Sequence, residues 1–368
     1  MPQACYIHIP FCSVNKQEYR GKCKYCSFVS FDRPELITGY IYSLLKEISE
    51  NYRGEKLRTL YFGGGTPSLV PIDLLKKIIN KFSVDENTEI TLELNPENGD
   101  SEYLEGLKAL GVNRLSIGSQ TFNDDLLRLI GRKHNSEQII NTVKFAKQAG
   151  FKNISLDLIY GLPSQTLQSI EKDLQKFLEM DIQHISTYGL KIEGGSYWGN
   201  NPPEDLSDDD TQADMYEIIN DILTNNGYYR YEVSNFAKAG YESNHNLTYW
   251  NNQEYYGFGV SAHGYVEGIR YSNYCTLERY LKSPSSHEYG RFINDKERLE
   301  EEIFLGFRKT EGINIKDINT KFGIDFEQKY KEVLNKYSDY FVKTNKGYAF
   351  TLKGTELSNE ILPEFLED

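Results

Sequence analysis

The sequence predicts an α/β fold in which a parallel sheet, covered by helices, curls into a barrel of repeated strand-helix units. Three observations predict it. Short β-prone runs alternate with amphipathic stretches from residue 5 to residue 225. Glycines stand at 111, 150 and 227, where a left-handed residue can end a helix. At 368 residues and 39% hydrophobic content, the chain can bury one large core and a smaller second one.

The elements follow in order. The apolar run Cys5-Tyr-Ile-His-Ile-Pro-Phe-Cys12 reads as the first strand. Residues 35–52 place Ile37, Tyr40, Ile41, Leu44, Leu45 and Ile48 on one helical stripe. Residues 71–82 repeat that pattern, with a proline suited to a first helical turn. Strands are expected at 59–62, 89–94, 114–117, 153–159 and 184–188, and further helices near 102–110, 136–149, 166–180 and 209–225. From residue 295 the alternation changes: helices at 297–307, 315–322 and 325–338 precede a hairpin at 342–350. The predicted units are a barrel over 1–240, a connector over 241–294 and a small C-terminal domain over 295–368.

Three cysteines, Cys12, Cys23 and Cys26, follow the first strand directly. Three thiolates can hold a 4Fe-4S cluster and leave one iron open to an exogenous ligand. Cys23-Lys-Tyr-Cys26 also has zinc-ligand spacing, and His8 with Cys12 could complete a tetrahedral Cys3His site in a zinc-stabilised binding module. The cysteines alone leave both readings open. Five cysteines in 368 residues make a disulfide framework a poor fit, and the first residues show no basic-then-apolar leader, so the chain reads as cytoplasmic with reduced thiols.

Residues 60–68 read Leu-Tyr-Phe-Gly-Gly-Gly-Thr-Pro-Ser, a strand running into glycines that let backbone approach a ligand closely. With Tyr6-Ile-His-Ile-Pro-Phe-Cys12, Cys23-Lys-Tyr-Cys26, Glu93-Leu-Asn-Pro96, Ser116-Ile-Gly-Ser-Gln-Thr-Phe122, Asp157-Leu-Ile-Tyr-Gly-Leu-Pro163 and Tyr231-Glu-Val-Ser-Asn-Phe236, the chain resembles the radical S-adenosylmethionine (SAM) superfamily. The likeness lies in the branch that holds oxygen-independent coproporphyrinogen III oxidases and the HemW haem chaperones. It implies an incomplete (β/α)6 barrel with cofactors at the strands' C-terminal ends, and a 4Fe-4S cluster on Cys12, Cys23 and Cys26. Gly64, Gly65 and Thr66 would hold the methionine end of SAM. Glu93, Gln120, Arg132 and Asp157 would supply polar contacts, and Tyr6 and Tyr25 would line the pocket.

One departure concerns the cluster loop. The family places three residues between its first two cysteines, whereas ten lie between Cys12 and Cys23. Closing the longer loop costs roughly 1 kcal/mol, which several iron-thiolate bonds outweigh. The insert, residues 13–22, carries three basic residues against one acid. It reads as a solvated loop, with docking of an anionic group as the alternative.

His245-Asn-Leu-Thr-Tyr-Trp250 fits the His-Asn-x-x-Tyr-Trp pattern of the haem-chaperone branch. A neutral imidazole can ligate haem iron, and aromatic rings can pack on a porphyrin, so His245, Tyr249 and Trp250 are the expected haem b contacts. The alternatives are His263 as ligand, or His245 as a residue that merely closes the SAM site. Two absences argue against an oxidase: Phe28 stands where the oxidases resemble one another in a fourth cysteine, and only eleven residues precede Cys12.

The resemblance therefore implies a haem chaperone that binds a cluster, SAM and haem and delivers haem to client haem proteins, with an electron donor as a further partner. The alternative is a radical SAM oxidase or decarboxylase of coproporphyrinogen III or another substrate. A net charge of −13 argues against nucleic-acid binding. The C-terminal domain resembles a winged helix, but acidic residues outnumber basic ones from 295 onward, so a lid or partner surface is expected in place of a DNA reader. A peripheral membrane contact and a homodimer are left open.

Overall fold

A computed structural model describes residues 1–12 and 22–366. The barrel is built from β1 (Ala4–Ile9), α1 (Ile37–Asn51), β2 (Thr59–Gly64), α2 (Ile72–Ile79), β3 (Glu89–Leu94), α3 (Ser101–Ala109), β4 (Arg114–Gln120), α4 (Asp124–Leu129), α5 (Ser136–Gln148), β5 (Asn153–Tyr160), α6 (Leu167–Glu179), β6 (His184–Gly189), α7 (Tyr197–Asn200) and α8 (Asp209–Asn225). The expected strands are all present, and α4 is an addition that the sequence reading did not contain. Its short apolar pair, Leu126 and Leu127, gave too little periodicity to see, but Asn123 caps it through Asp125 N and Leu126 N.

β1 to β6 pair in parallel and in sequence order. The sheet continues past β6 into the antiparallel pair β7 (Tyr229–Arg230) and β8 (Asn235–Ala237). After α9 (Asn244–Trp250), β9 (Tyr256–Phe258) joins the other edge in parallel with β1. β7 and β9 end the nine-stranded order unpaired with each other, so the barrel is open.

Strand alternation separates two faces. Cys5, Ile7, Leu60, Phe62, Ile90, Leu92, Leu115, Ile117, Ile154, Leu156 and Ile185 are buried in the main core with the apolar stripes of the helices. The intervening positions share the other face and are polar: Tyr6, His8, Thr59, Tyr61, Glu89, Thr91, Glu93, Arg114, Ser116, Ser155, Asp157, His184 and Ser186. The barrel interior is thus a polar column between two ends. α9 binds at the strand starts, where the Glu89 carboxylate accepts from Asn244 N and His245 N at 3.1 and 3.0 Å. The loops at the strands' C-terminal ends are left to build a site.

Between the barrel sheet and the C-terminal domain, β10 (His263–Val266), β11 (Ile269–Asn273), α10 (Leu277–Lys282) and β12 (His287–Phe292) contribute a three-stranded antiparallel sheet. The C-terminal domain has its own core around Ile303, Phe307, Phe326, Phe350 and Phe365. It comprises α11 (Asp295–Gly306), β13 (Ile313–Asn314), α12 (Ile315–Phe322), α13 (Phe326–Lys329), α14 (Lys331–Lys336), β14 (Phe341–Lys343) and β15 (Gly347–Phe350). The expected helix over 325–338 is broken at Tyr330, whose φ of −108° leaves the helical range. The domain is stitched to the barrel by backbone: Val233 N donates to Arg308 O at 2.9 Å and Thr310 N to Tyr231 O at 3.0 Å. The Tyr231-to-Phe236 motif therefore lies at this seam, with Glu232 fully buried in it.

Candidate functional site

A cavity of about 1120 Å³ opens at the C-terminal ends of β2 to β6. Cys12, Cys23 and Cys26 line it together with Tyr25, Gly64, Gly65, Thr66, Glu93, Gln120, Arg132 and Asp157. Local structure explains how the cysteines come here. Pro10 ends β1, Phe31 N donates to Pro10 O at 2.7 Å, and Cys12 N donates back to Phe31 O at 3.1 Å. Further on, Lys24 N donates to Ile130 O and Cys26 N to Cys23 O, at 2.9 and 3.0 Å. Residues 13–21 of the insert lie outside the described residues.

The glycine run is dictated by the strand beside it. A Cβ on Gly65 would lie 2.6 Å from Phe11 O, and one on Gly64, whose φ is +113°, would lie 2.5 Å from the His8 ring. Only glycine lets β2 end directly against the segment that carries Cys12. Thr66 then donates from Oγ1 to Cys12 Sγ at 3.7 Å.

Arg132 donates to Cys23 Sγ at 3.6 Å, to Asn95 Oδ1 at 2.9 Å and to Gly118 O at 2.7 Å. Burial opposes its charge, but Cys23, Tyr25 and Glu97 outweigh that and hold the guanidinium ionised. Burial raises the Cys12 thiol and pushes Cys26 up to about 11, outweighing the opposing pull of Lys22. Burial also pushes Glu93 up to about 7, against donation from Tyr61 OH and Gly64 N at 2.9 and 3.0 Å. Asp157 rises to about 6 by burial, against hydrogen bonds from Ser186 and Ser116. Gln120 has φ +62° at a break in the β4–β5 register, and its Oε1 is buried without a partner among the described residues. A strained, unsatisfied acceptor beside two carboxylates held near neutrality is a place prepared for a ligand with donors and positive charge.

Among the described residues, no three His, Cys, Asp or Glu side chains converge closely enough for one metal ion. His8 is also committed elsewhere, with Nδ1 3.1 Å from Tyr6 OH and Nε2 2.9 Å from Val29 O. His8 is therefore not free to join the cysteines as a zinc ligand, and three thiols on one cavity are a donor set that a 4Fe-4S cluster takes.

A profile of the Radical SAM superfamily matches residues 6–177, and one of the HemN C-terminal domain matches 293–340. Heme chaperone HemW of Lactococcus lactis is 40% identical over 100% of this chain and 98% of its own length. Heme chaperone HemW of Bacillus subtilis is 36% identical over 99% of each chain. The chain belongs to the HemW family. Coproporphyrinogen III oxidase (HemN) from Escherichia coli, at 22% identity, shares the fold: TM-score 0.85 over 99% of this chain and 90% of that one. The cofactors of the radical SAM superfamily, a 4Fe-4S cluster and SAM, suit the cavity, since three thiols line it together with Glu93, Asp157 and Gln120, acceptors of the kind an ammonium and ribose hydroxyls need.

In this HemW-family chain two expected contacts lie elsewhere. Tyr6 is beneath the cavity, packed beside Tyr61 and His245 and bonded to His8, because β1 alternation turns it into the barrel column. His245 offers no open coordination position. It is 1% exposed, with Nδ1 2.8 Å from Thr59 Oγ1 and Nε2 2.8 Å from Tyr249 OH. Burial, reinforced by Arg114, pushes its pKa down to about 3. His263 is exposed on β10. Tyr249 and Trp250 instead line a second cavity of about 700 Å³, shared with Tyr255, Arg270, Phe304 and Leu305. Trp250 Nε1 is buried without a hydrogen-bond partner among the described residues, and the Arg308 guanidinium lies 5.4 Å from its ring. Asn95, which joins Thr66 to Arg132, received no role from sequence, though it stands in the Glu93-to-Pro96 motif.

Proposed function

We propose that this chain is a haem chaperone that takes up haem and passes it to client haem proteins, with a 4Fe-4S cluster and SAM held in the barrel cavity. HemW chaperones matched over the whole length support the reading. The observation that carries it is the second cavity, where Trp250, Tyr249, Tyr255, Phe304 and Leu305 offer an apolar, aromatic wall. A porphyrin brings a flat apolar face that suits that wall; the Arg270 guanidinium beside it is already bridged to Glu301. Tyr249 and Trp250 are then the haem contacts, and His245 supports them from behind.

When bound, the cluster supplies an electron to SAM. The residues of the chain hold that pair. Arg132 stands against Cys23, and Tyr61 and Gly64 orient Glu93. Lys22, Lys24, Arg128 and Lys191 also line the first cavity, in a chain of net charge −13, and suit approach by an acidic electron donor. The reading is tested by titrating haem into cluster-loaded protein and then adding an apo haem protein. Stoichiometric binding followed by transfer is expected; SAM-dependent consumption of a porphyrinogen without haem binding would favour the oxidase reading instead.

A further inference from the structure

A continuous set of contacts runs from α9 to the carboxylate in the SAM cavity. The His245 ring stacks on Tyr61 with centroids 4.9 Å apart and planes at 21°. Tyr6 stacks on the same phenol at 6.1 Å. Tyr61 OH donates to Glu93 Oε1 at 2.9 Å, and Glu93 Oε2 accepts from Gly64 N at 3.0 Å. The imidazole is fixed in turn by Thr59 and Tyr249, one on each nitrogen, and its backbone N–H is held by Glu89 at 3.0 Å. Thr59, Tyr61 and Gly64 lie on β2, and Glu89 and Glu93 on β3. α9 is therefore bound to the starts of the two strands whose ends carry Gly64 and Glu93.

The geometry points to His245 as a positioning residue for the SAM site: stacked on Tyr61, it fixes the phenol that orients Glu93. This rests on the reading of Glu93 as a SAM contact. A neutral ring suits the role, because it holds Thr59 and Tyr249 without drawing a proton from Glu93 or adding charge beneath it. Without the imidazole, Tyr61 would border a void and its hydroxyl would lose its fixed bearing on the carboxylate. Glu93 is also faced by Asp157 on β5, Arg114 on β4, Tyr188 on β6 and Tyr6 on β1, and these are unchanged by substitution at 245.

The test measures SAM affinity of the cluster-loaded protein by equilibrium dialysis across the neutral pH range. Tyr61→Phe should weaken SAM about tenfold, the effect of losing a hydrogen bond to a carboxylate. It should also move the midpoint of the pH dependence upward, since that bond favours ionised Glu93. His245→Ala should do both, and combining it with Tyr61→Phe should cost nothing more, the signature of residues acting through one contact. His245→Phe, which keeps a ring on Tyr61, should stay within about threefold of wild type. If His245→Ala does not fold, His245→Val, which also removes the ring from Tyr61 but leaves a smaller void, should shift the midpoint the same way. Unchanged affinity and midpoint in these variants, or additive losses with Tyr61→Phe, would overturn the proposal. Glu93→Gln with unchanged SAM affinity would instead remove Glu93 from the SAM site, and the positioning role with it.

Discussion

Arg132 lies with one guanidinium nitrogen 3.6 Å from Cys23 Sγ, so a buried positive charge stands against one of the three thiols. The other terminal nitrogen is tied to Asn95 and Gly118, which fixes the charge in place. Cluster potentials respond to net charge and to hydrogen bonds on sulfur. Arg132→Met should therefore make the cluster harder to reduce, shifting its potential negative by on the order of 50 mV, about one tenfold step for a one-electron couple. A redox titration followed by electron paramagnetic resonance measures it, and an unchanged potential would show that Arg132 does not act on the cluster.

Substituting Ala for Cys12, Cys23 or Cys26 should abolish the cluster, whereas Cys5→Ala and Cys275→Ala should retain it. Cys5 is fully buried on the helix-facing side of β1, and Cys275 is exposed away from the cavity. Iron and sulfide analysis after anaerobic reconstitution decides the matter. Retention in Cys23→Ala would mean that the ten-residue insert has reassigned the ligands.

Deleting about seven residues between Ser13 and Lys22 should leave cluster assembly intact, because loop closure changes by only about 1 kcal/mol. Lys22 itself donates to Phe28 O at 2.7 Å and should be kept. A shortened protein that keeps its iron but loses haem binding or reduction by its donor would give the insert a specific role.

Trp250→Ala should weaken haem binding by about tenfold or more, since burying an aromatic side chain is worth roughly 1.5 to 3 kcal/mol. The Soret position and spin state should be preserved, as no axial ligand is lost. His245→Ala should likewise leave the haem spectrum unchanged, because both imidazole nitrogens are already engaged inside the fold. An altered Soret band in His245→Ala would restore this histidine as the iron ligand.

Glu47 on α1 is fully buried and accepts from Asn273 Nδ2, Gly259 N and Tyr280 OH. Burial still pushes it up from 4.5 to about 7. A raised folded-state value favours the protonated form, so its stability contribution is complete below about pH 4.5 and is lost as pH rises through 7. Urea unfolding of wild type against Glu47→Gln should show a less negative slope of stability with pH in the variant, by up to about 1 kcal/mol per pH unit in that window. Equal slopes would place the Glu47 pKa at its ordinary value.

The strand-helix order was legible in the sequence because each barrel element carries its own period: Ile37, Tyr40, Ile41, Leu44 and Ile48 on α1, or the apolar alternates of β2 to β5. The family resemblance carried by local motifs pointed to the thiols, Gly64, Gly65, Thr66, Glu93, Gln120, Arg132 and Asp157, and the fold lines one cavity with them. α4 and the sheet of β10 to β12 were missed because their segments are too short or too exposed to show a period; all of β12 faces solvent.

What sequence could not decide was direction. The side chains of Tyr6 and His245 have the chemistry of a cofactor contact and of an iron ligand, but which way each points depends on strand alternation and on partners far along the chain. Thr59 and Glu89 meet His245 across separations of 186 and 156 residues. The motifs, through the family they resemble, pointed to which chemistry the chain carries. Tertiary packing alone decided which groups remain open to a ligand, because an imidazole whose two nitrogens are both engaged inside the fold has no lone pair or proton left to offer.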